Sequence, residues 1–115
     1  MSEDAEDADP WQAEPLHVAV FREGGEVTVV LEGGLDRSGA ERLRAYVMEA
    51  LGKRPAVLTI DASALTSVDS VGLAGLLGVR HALTDAGVAF RVSGASPAFR
   101  HAAEDTGFKA LLPDE

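Results

Sequence analysis

Histidine and carboxylate pairs are the first residues in this sequence whose types and spacing suit chemistry. His81 with Asp85 and His101 with Asp105 are four residues apart, a spacing that places two metal ligands on one face of a helix. His17 lies far from both pairs in the sequence. Because such pairs are also common on solvent-exposed helices, we interpret them as surface residues and expect no metal site.

A glycine-rich stretch and two further carboxylates offer little support for catalysis. Residues 72–78 (GLAGLLG) have neither the G-x-G-x-x-G spacing nor the Gly-Lys-Ser/Thr ending of a phosphate-binding loop. Close packing of a helix explains these glycines better. Asp61 and Asp69 flank a polar segment, but no set of nucleophile, base and orienting group accompanies them. We therefore expect a binding module and not an enzyme, with no cofactor.

Ser70 has the most specific chemical setting. Residues 61–72 leave the carboxyl end of a predicted buried strand, where open α/β sheets usually bind their ligands. They end at a predicted helix N-terminus, where free amides and the helix dipole stabilise negative charge. A phosphate on Ser70 would add about −1.5 to −2 charges at a position that the helix tolerates. From the residues alone, Asp69 or Ser70 is equally well explained as a simple helix cap.

The composition is that of one small globular domain. The chain has 115 residues, of which 46% are hydrophobic and 25% are charged, and it has no cysteine. Disulfides, thiolate metal sites and cysteine nucleophiles are therefore excluded. The first residues lack the pattern of a signal peptide, and no apolar run approaches the roughly 20 residues of a membrane helix. We expect a cytoplasmic protein that does not bind membranes.

Negative charge is concentrated at the amino terminus. The net charge is −9, and residues 1–15 include six acidic residues and no lysine or arginine. Such a segment buries too little apolar surface to offset the entropy of ordering. We predict a disordered acidic tail over residues 1–15, which favours solubility, and a folded domain over residues 16–115. The acidic balance also argues against nucleic acid as a partner.

Hydrophobic periodicity predicts a hairpin and a helix after the tail. Residues 16–22 and 26–32 are predicted strands joined by a glycine turn, and residues 33–36 (GGLD) a loop. Ser38 and Glu41 have the spacing of a capping box, which begins a helix.

Alternating strands and helices are predicted for the remainder. Residues 56–61 form a nearly continuous apolar run, which is typical of a buried parallel strand, and residues 62–69 a polar loop. A helix begins near Ser70, and residues 88–92 form another strand. Ser96 and the proline after it begin a third helix. We predict one α/β domain, in which a mixed sheet of four to five strands (an N-terminal hairpin, then parallel strands) packs with three to four helices.

Four stretches carry a family resemblance: residues 33–36 (GGLD), 58–77 (LTIDASALTSVDSVGLAGLL), 92–100 (VSGASPAFR) and 106–108 (TGF). In this order they are similar to motifs of the STAS family, the domain of sulfate transporters and anti-sigma factor antagonists. The D-S-x-G-L element is the most specific of them, and together they span nearly everything after the tail.

The resemblance implies a partner-switching function for a free-standing domain of this length. In such systems the unphosphorylated antagonist binds a small anti-sigma serine kinase, and the sigma factor is released. The kinase phosphorylates the antagonist with ATP and Mg²⁺, the antagonist dissociates, and a metal-dependent serine phosphatase resets it. By this resemblance Ser70 is the phosphorylation site and Asp69 orients its hydroxyl. The implied partner-binding surface is bordered by Asp36, Ser63, Asp69, Val71 and Gly72, on a monomer or weak dimer.

Val71 departs from the family pattern, because many relatives have a second serine there. The change removes an alternative acceptor and alters the surface that a kinase contacts. Some relatives are not phosphorylated and act as signalling scaffolds, transport accessory subunits or small-ligand sensors. Such a non-switching STAS subunit is therefore the alternative function, and a hydrolase or transferase ranks last.

Overall fold

The computed structural model describes residues 15–108 and residue 111. Apart from residue 15, the predicted acidic tail lies outside this range. The described chain contains four strands: β1 (His17–Glu23), β2 (Glu26–Leu35), β3 (Val57–Val68) and β4 (Ala89–Ala95). Its three helices are α1 (Arg37–Leu51), α2 (Ser70–Asp85) and α3 (Pro97–Thr106).

The four strands form one mixed sheet in the order β1-β2-β3-β4. The first two are antiparallel, with Val20 opposite Val29, and the remaining pairs are parallel. The turn between β1 and β2 includes Gly24, whose positive φ of 63° suits glycine. The predicted α/β domain with an N-terminal hairpin and a mixed sheet is confirmed, with four strands and three helices in the described range.

Two segments predicted as loops are strand in the structure. Residues 33–35 extend β2, and residues 62–68 extend β3. The two extensions pair with each other, Gly33 opposite Leu65 and Leu35 opposite Val68, through an irregular register. Pairing satisfies the backbone N–H and C=O groups, and Leu65 is buried. The polar side chains of residues 62–68 therefore do not prevent a strand.

Helix α1 begins earlier than predicted, and the capping box at Ser38 and Glu41 is wrong. The N-cap is Asp36, whose Oδ1 accepts a hydrogen bond of 2.8 Å from the Gly39 amide. Since β2 continues to Leu35, the helix starts directly after the strand, and Asp36 is the first residue able to cap it. The predicted start of α3 is confirmed, because Ser96 Oγ accepts from an amide three residues later at 3.0 Å.

The core lies between one face of the sheet and the helices. Its fully buried members include Val29, Leu31, Leu58 and Ile60 from the sheet and Leu43, Val47, Leu73, Leu76, Leu83 and Phe99 from the helices. The sheet contributes alternate residues of β2 and β3 to the core, because every second side chain of a strand points to the same face. No helix among the described residues is both long and apolar enough to cross a membrane.

Candidate functional site

Ser70 is the first residue of α2 and is exposed. The preceding Asp69 is the N-cap, and its Oδ1 accepts a hydrogen bond of 2.7 Å from the Gly72 amide. The Asp69 backbone amide donates to the Leu35 carbonyl at 3.2 Å. The serine hydroxyl therefore stands at the start of a helix that is anchored both by its own cap and by the end of β2.

Asp36 and Asp69 play matching parts at neighbouring helix starts. Each follows the end of a parallel strand, and each accepts a hydrogen bond from the amide three residues later. Gly72 allows the two ends to approach closely, because a Cβ built on it would lie 2.2 Å from the Leu35 carbonyl oxygen. This contact places Asp36, Asp69 and Ser70 at one edge of the molecule.

Gly72 and Val71 differ in their exposure to solvent. Gly72 is buried, and its role in the structure is to admit the backbone of the β2–α1 junction. Val71 has 46% of its surface exposed, which is unusual for a large apolar side chain. Of the two, Val71 presents a side chain to solvent beside Ser70.

Ser63 lies apart from the α2 N-terminus. Its amide and hydroxyl both donate to Asp61 Oδ1 within β3, at 3.0 and 2.7 Å. A Cβ built on Gly94 would lie 3.0 Å from Ser63 Cβ, so Ser63 adjoins the end of β4. Val68 is five residues after Ser63 along β3, roughly 16 Å at the usual rise. The structure thus groups four of the five predicted partner-binding residues around Ser70 and places Ser63 at a distance.

A cleft of about 490 Å³ lies beside Ser70, between the start of α2 and one face of α3. Its polar lining includes Asp69 and Ser70 from one side and His101 and Asp105 from the other. Sequence analysis interpreted the latter pair as surface residues and did not place it near Ser70. No local pattern in the sequence indicated this proximity, because it depends on how α3 packs beside α2.

The cleft offers hydroxyls and carboxylates but no metal centre. No group of three or more histidine or acidic side chains suited to a metal occurs in residues 15–108. The comparable pair His81 and Asp85 lines a separate surface depression on α2. Chemically, the site presents an exposed hydroxyl at a helix start that tolerates added negative charge.

Comparisons with known proteins agree with the fold. A family model described as "Mlab, STAS domain" matches residues 18–113. The chain is similar to an anti-sigma factor antagonist from Mycobacterium paratuberculosis, with 28% identity, a TM-score of 0.72, and coverage of 85% of this chain and 83% of that one. A search of curated proteins finds no match.

Two further solved structures share the fold. The anti-sigma factor antagonist SpoIIAA in its unphosphorylated form is 22% identical, with a TM-score of 0.70 and coverage of 86% and 88% of the two chains. A sulfate transporter family protein from Wolinella succinogenes is 20% identical, with a TM-score of 0.67 and coverage of 80% and 75%. Since the family model covers well over half of the residues, the chain belongs to the STAS domain family.

Proposed function

We propose that this protein is an anti-sigma factor antagonist that binds an anti-sigma serine kinase and is switched off by phosphorylation on Ser70. The observation that carries the proposal is the exposed Ser70 hydroxyl at the first position of α2, directly after the Asp69 cap. The similarity of the chain to the mycobacterial protein supports a function as an anti-sigma factor antagonist. An ATP-dependent switch of this kind operates in the cytoplasm.

The geometry favours Ser70 over the other hydroxyls of the motif. Ser63 Oγ is already engaged with Asp61 Oδ1 at 2.7 Å, and Ser67 lies within β3 and is only half-exposed. Thr66 also lies within β3, whose backbone is held by pairing. Ser70 alone among these four begins a helix, where free amides stabilise a phosphate.

Phosphorylation would change binding through charge. About −1.5 to −2 charges would be added beside the carboxylates of Asp69 and Asp105. The cap and the first turn of α2 would remain, because negative charge at a helix start is favourable. A partner docked over Ser70 and Val71 would have to desolvate the phosphate, so it would dissociate while the fold stays intact.

The proposal is tested by incubating the protein with candidate anti-sigma serine kinases, ATP and Mg²⁺, followed by intact mass and site mapping. We expect the addition of one phosphate, located on Ser70, and no addition to Ser70→Ala. The serine phosphatase of the system should remove it. Phosphate on Ser63, Thr66 or Ser67, or none with any kinase, would contradict the assignment.

A second candidate function is a non-switching STAS subunit of a signalling scaffold, a transport system or a ligand sensor. The similarity to a sulfate transporter family protein and the replacement of the second serine by Val71 favour it. In that case no kinase would modify the protein, and a small ligand would raise its melting temperature.

A further inference from the structure

The cleft between α2 and α3 is the space into which the Ser70 side chain opens. Ser70 lines this cleft, whereas the next residue, Val71, lines a separate groove between α1 and α2. The serine therefore borders α3 on its exposed side. The cleft has a volume of about 490 Å³, which is within the range of sites that hold small ligands. A phosphoryl group on Ser70 thus has room to lie in it.

Helix α3 contributes His101 and Asp105 to the same cleft. The two residues are one helical turn apart, and both are exposed. Among the described residues that line the cleft, His101 is the only one that can carry a positive charge, because this lining contains no lysine or arginine. The single potential cation of the cleft therefore comes from the element opposite Ser70.

A phosphate in this cleft would be surrounded mainly by negative charge. It would add about −1.5 to −2 charges near the carboxylates of Asp69 and Asp105. Like charges this close repel each other, whereas a protonated imidazole attracts a phosphate. The amides at the start of α2 offset part of the charge, but that of Gly72 already donates to Asp69 Oδ1 at 2.7 Å. His101 is the described side chain of the cleft that can offset the rest.

We infer that His101 binds the phosphate of phosphorylated Ser70 in the cleft between α2 and α3, as an imidazolium–phosphate pair. Imidazole and phosphoserine both change charge between about pH 5 and 8, so the strength of the pair depends on pH. Pairing with an imidazolium favours the phosphate dianion. The phosphate should therefore lose its second proton at a lower pH than it would without His101.

This pair rests on the proposed function, because it forms only when Ser70 carries a phosphate. The experiment therefore introduces phosphoserine at position 70 during translation, by genetic code expansion, and needs no kinase. If no kinase modifies Ser70, the proposed function is contradicted, and the titration of the introduced phosphate still decides whether His101 binds it. An unchanged titration would contradict the pair and leave the kinase assay unaffected.

The pair is tested by phosphorus NMR, which follows the phosphate of the full chain through its second ionisation. We expect His101→Gln to raise the apparent second pKa of the phosphate by about 0.5 unit or more, because the variant removes a cation that favours the dianion. His81→Gln is the matched control, since His81 and Asp85 form the same kind of pair on α2 but line a separate depression. It should leave the pKa of the phosphate unchanged.

His101→Arg tests whether the effect comes from charge, because arginine remains charged throughout the titration. It should return the apparent pKa of the phosphate to the wild-type value or below it. His101 and His81 are both exposed, so all variants should keep the wild-type melting temperature, which is measured first. The inference is overturned if His101→Gln leaves the pKa of the phosphate as in wild type, if His81→Gln raises it equally, or if His101→Arg does not restore it.

Discussion

At the scale of single residues, the exposure of Ser70 follows from the way in which an aspartate caps α2. Asp69 uses Oδ1 to hold the Gly72 amide, which fixes the first turn of α2 and leaves the Ser70 side chain exposed. The helix cap and the proposed phosphorylation site are therefore adjacent residues. The interpretation of Asp69 as a cap, one of two left open by the sequence, is confirmed, and orientation of the hydroxyl by Asp69 stays a prediction.

Sequence analysis predicted the start of α2 correctly and the start of α1 wrongly, for one physical reason. Ser70 follows an aspartate and precedes a glycine and an apolar period, so cap and helix start coincide. At α1, Asp36 and Ser38 both have side chains that cap helices. The choice between them depends on where β2 ends, and that is set by pairing with β3, which no local pattern encodes.

Ser70→Ala and Ser70→Glu should show whether Ser70 is a phosphorylation switch or only part of the start of α2. Alanine keeps the docking surface uncharged, so it should bind the kinase as wild type does and resist release by ATP. Glutamate adds a charge that a close interface must desolvate; a cost of about 3 kcal/mol would weaken binding more than a hundredfold. Titration calorimetry against the cognate kinase measures both. Ser93→Glu places the same charge on an exposed position of β4 and is the control.

Equal affinity of wild type, Ser70→Ala, Ser70→Glu and the phosphorylated protein would contradict the proposed switch. Each variant must first be shown to be folded by its melting temperature. The loss of a hydroxyl at a helix start should lower the free energy of unfolding by about 1 kcal/mol or less, which the domain tolerates.

At the scale of elements, the site depends on the contact between the start of α2 and the junction of β2 with α1. Sequence analysis predicted the strands and helices on either side of this contact. It placed loops at residues 33–36 and 62–69, because glycine and polar residues usually interrupt strands. Their backbones are instead satisfied by pairing with each other, and such mutual support becomes visible only when two distant segments meet.

Gly72→Ala and Gly78→Ala, two glycines of the same helix, should have opposite effects on stability. A Cβ at Gly72 would lie 2.2 Å from the Leu35 carbonyl oxygen, so the backbone must move, at a cost of roughly 1–3 kcal/mol. A Cβ at Gly78 meets nothing within 4 Å, and alanine there should stabilise α2 by about 0.5–1 kcal/mol. Urea denaturation of both variants measures the difference. Equal effects would show that α2 does not depend on this close approach.

At the scale of the whole molecule, one continuous core connects the sheet to all three helices. Helix α3 contributes to this core through Phe99, which is fully buried. Other residues of α3 line the cleft beside Ser70. The sequence predicted the start of α3. It did not predict the cleft, because a cleft is created by how closely α2 and α3 approach, which depends on the packing of many side chains at once.

Two phenylalanines test how far stability rests on this core. Phe99 is completely buried in α3, whereas Phe21 in β1 has 59% of its surface exposed. Phe99→Ala should lower the free energy of unfolding by about 3–5 kcal/mol, because it leaves a cavity that close-packed neighbours fill only in part. Phe21→Ala, the matched control, should change it by about 0.5 kcal/mol or less.

Urea denaturation followed by circular dichroism measures both variants, and the slope m reports the surface exposed on unfolding. If the described elements unfold as one unit, Phe99→Ala lowers the midpoint and leaves m unchanged. A reduced m would show instead that α3 detaches in a separate step while the sheet, α1 and α2 remain folded. That outcome would contradict a single cooperative core. It would also make the cleft beside Ser70 the first part of the molecule to open, because α3 supplies one of its walls.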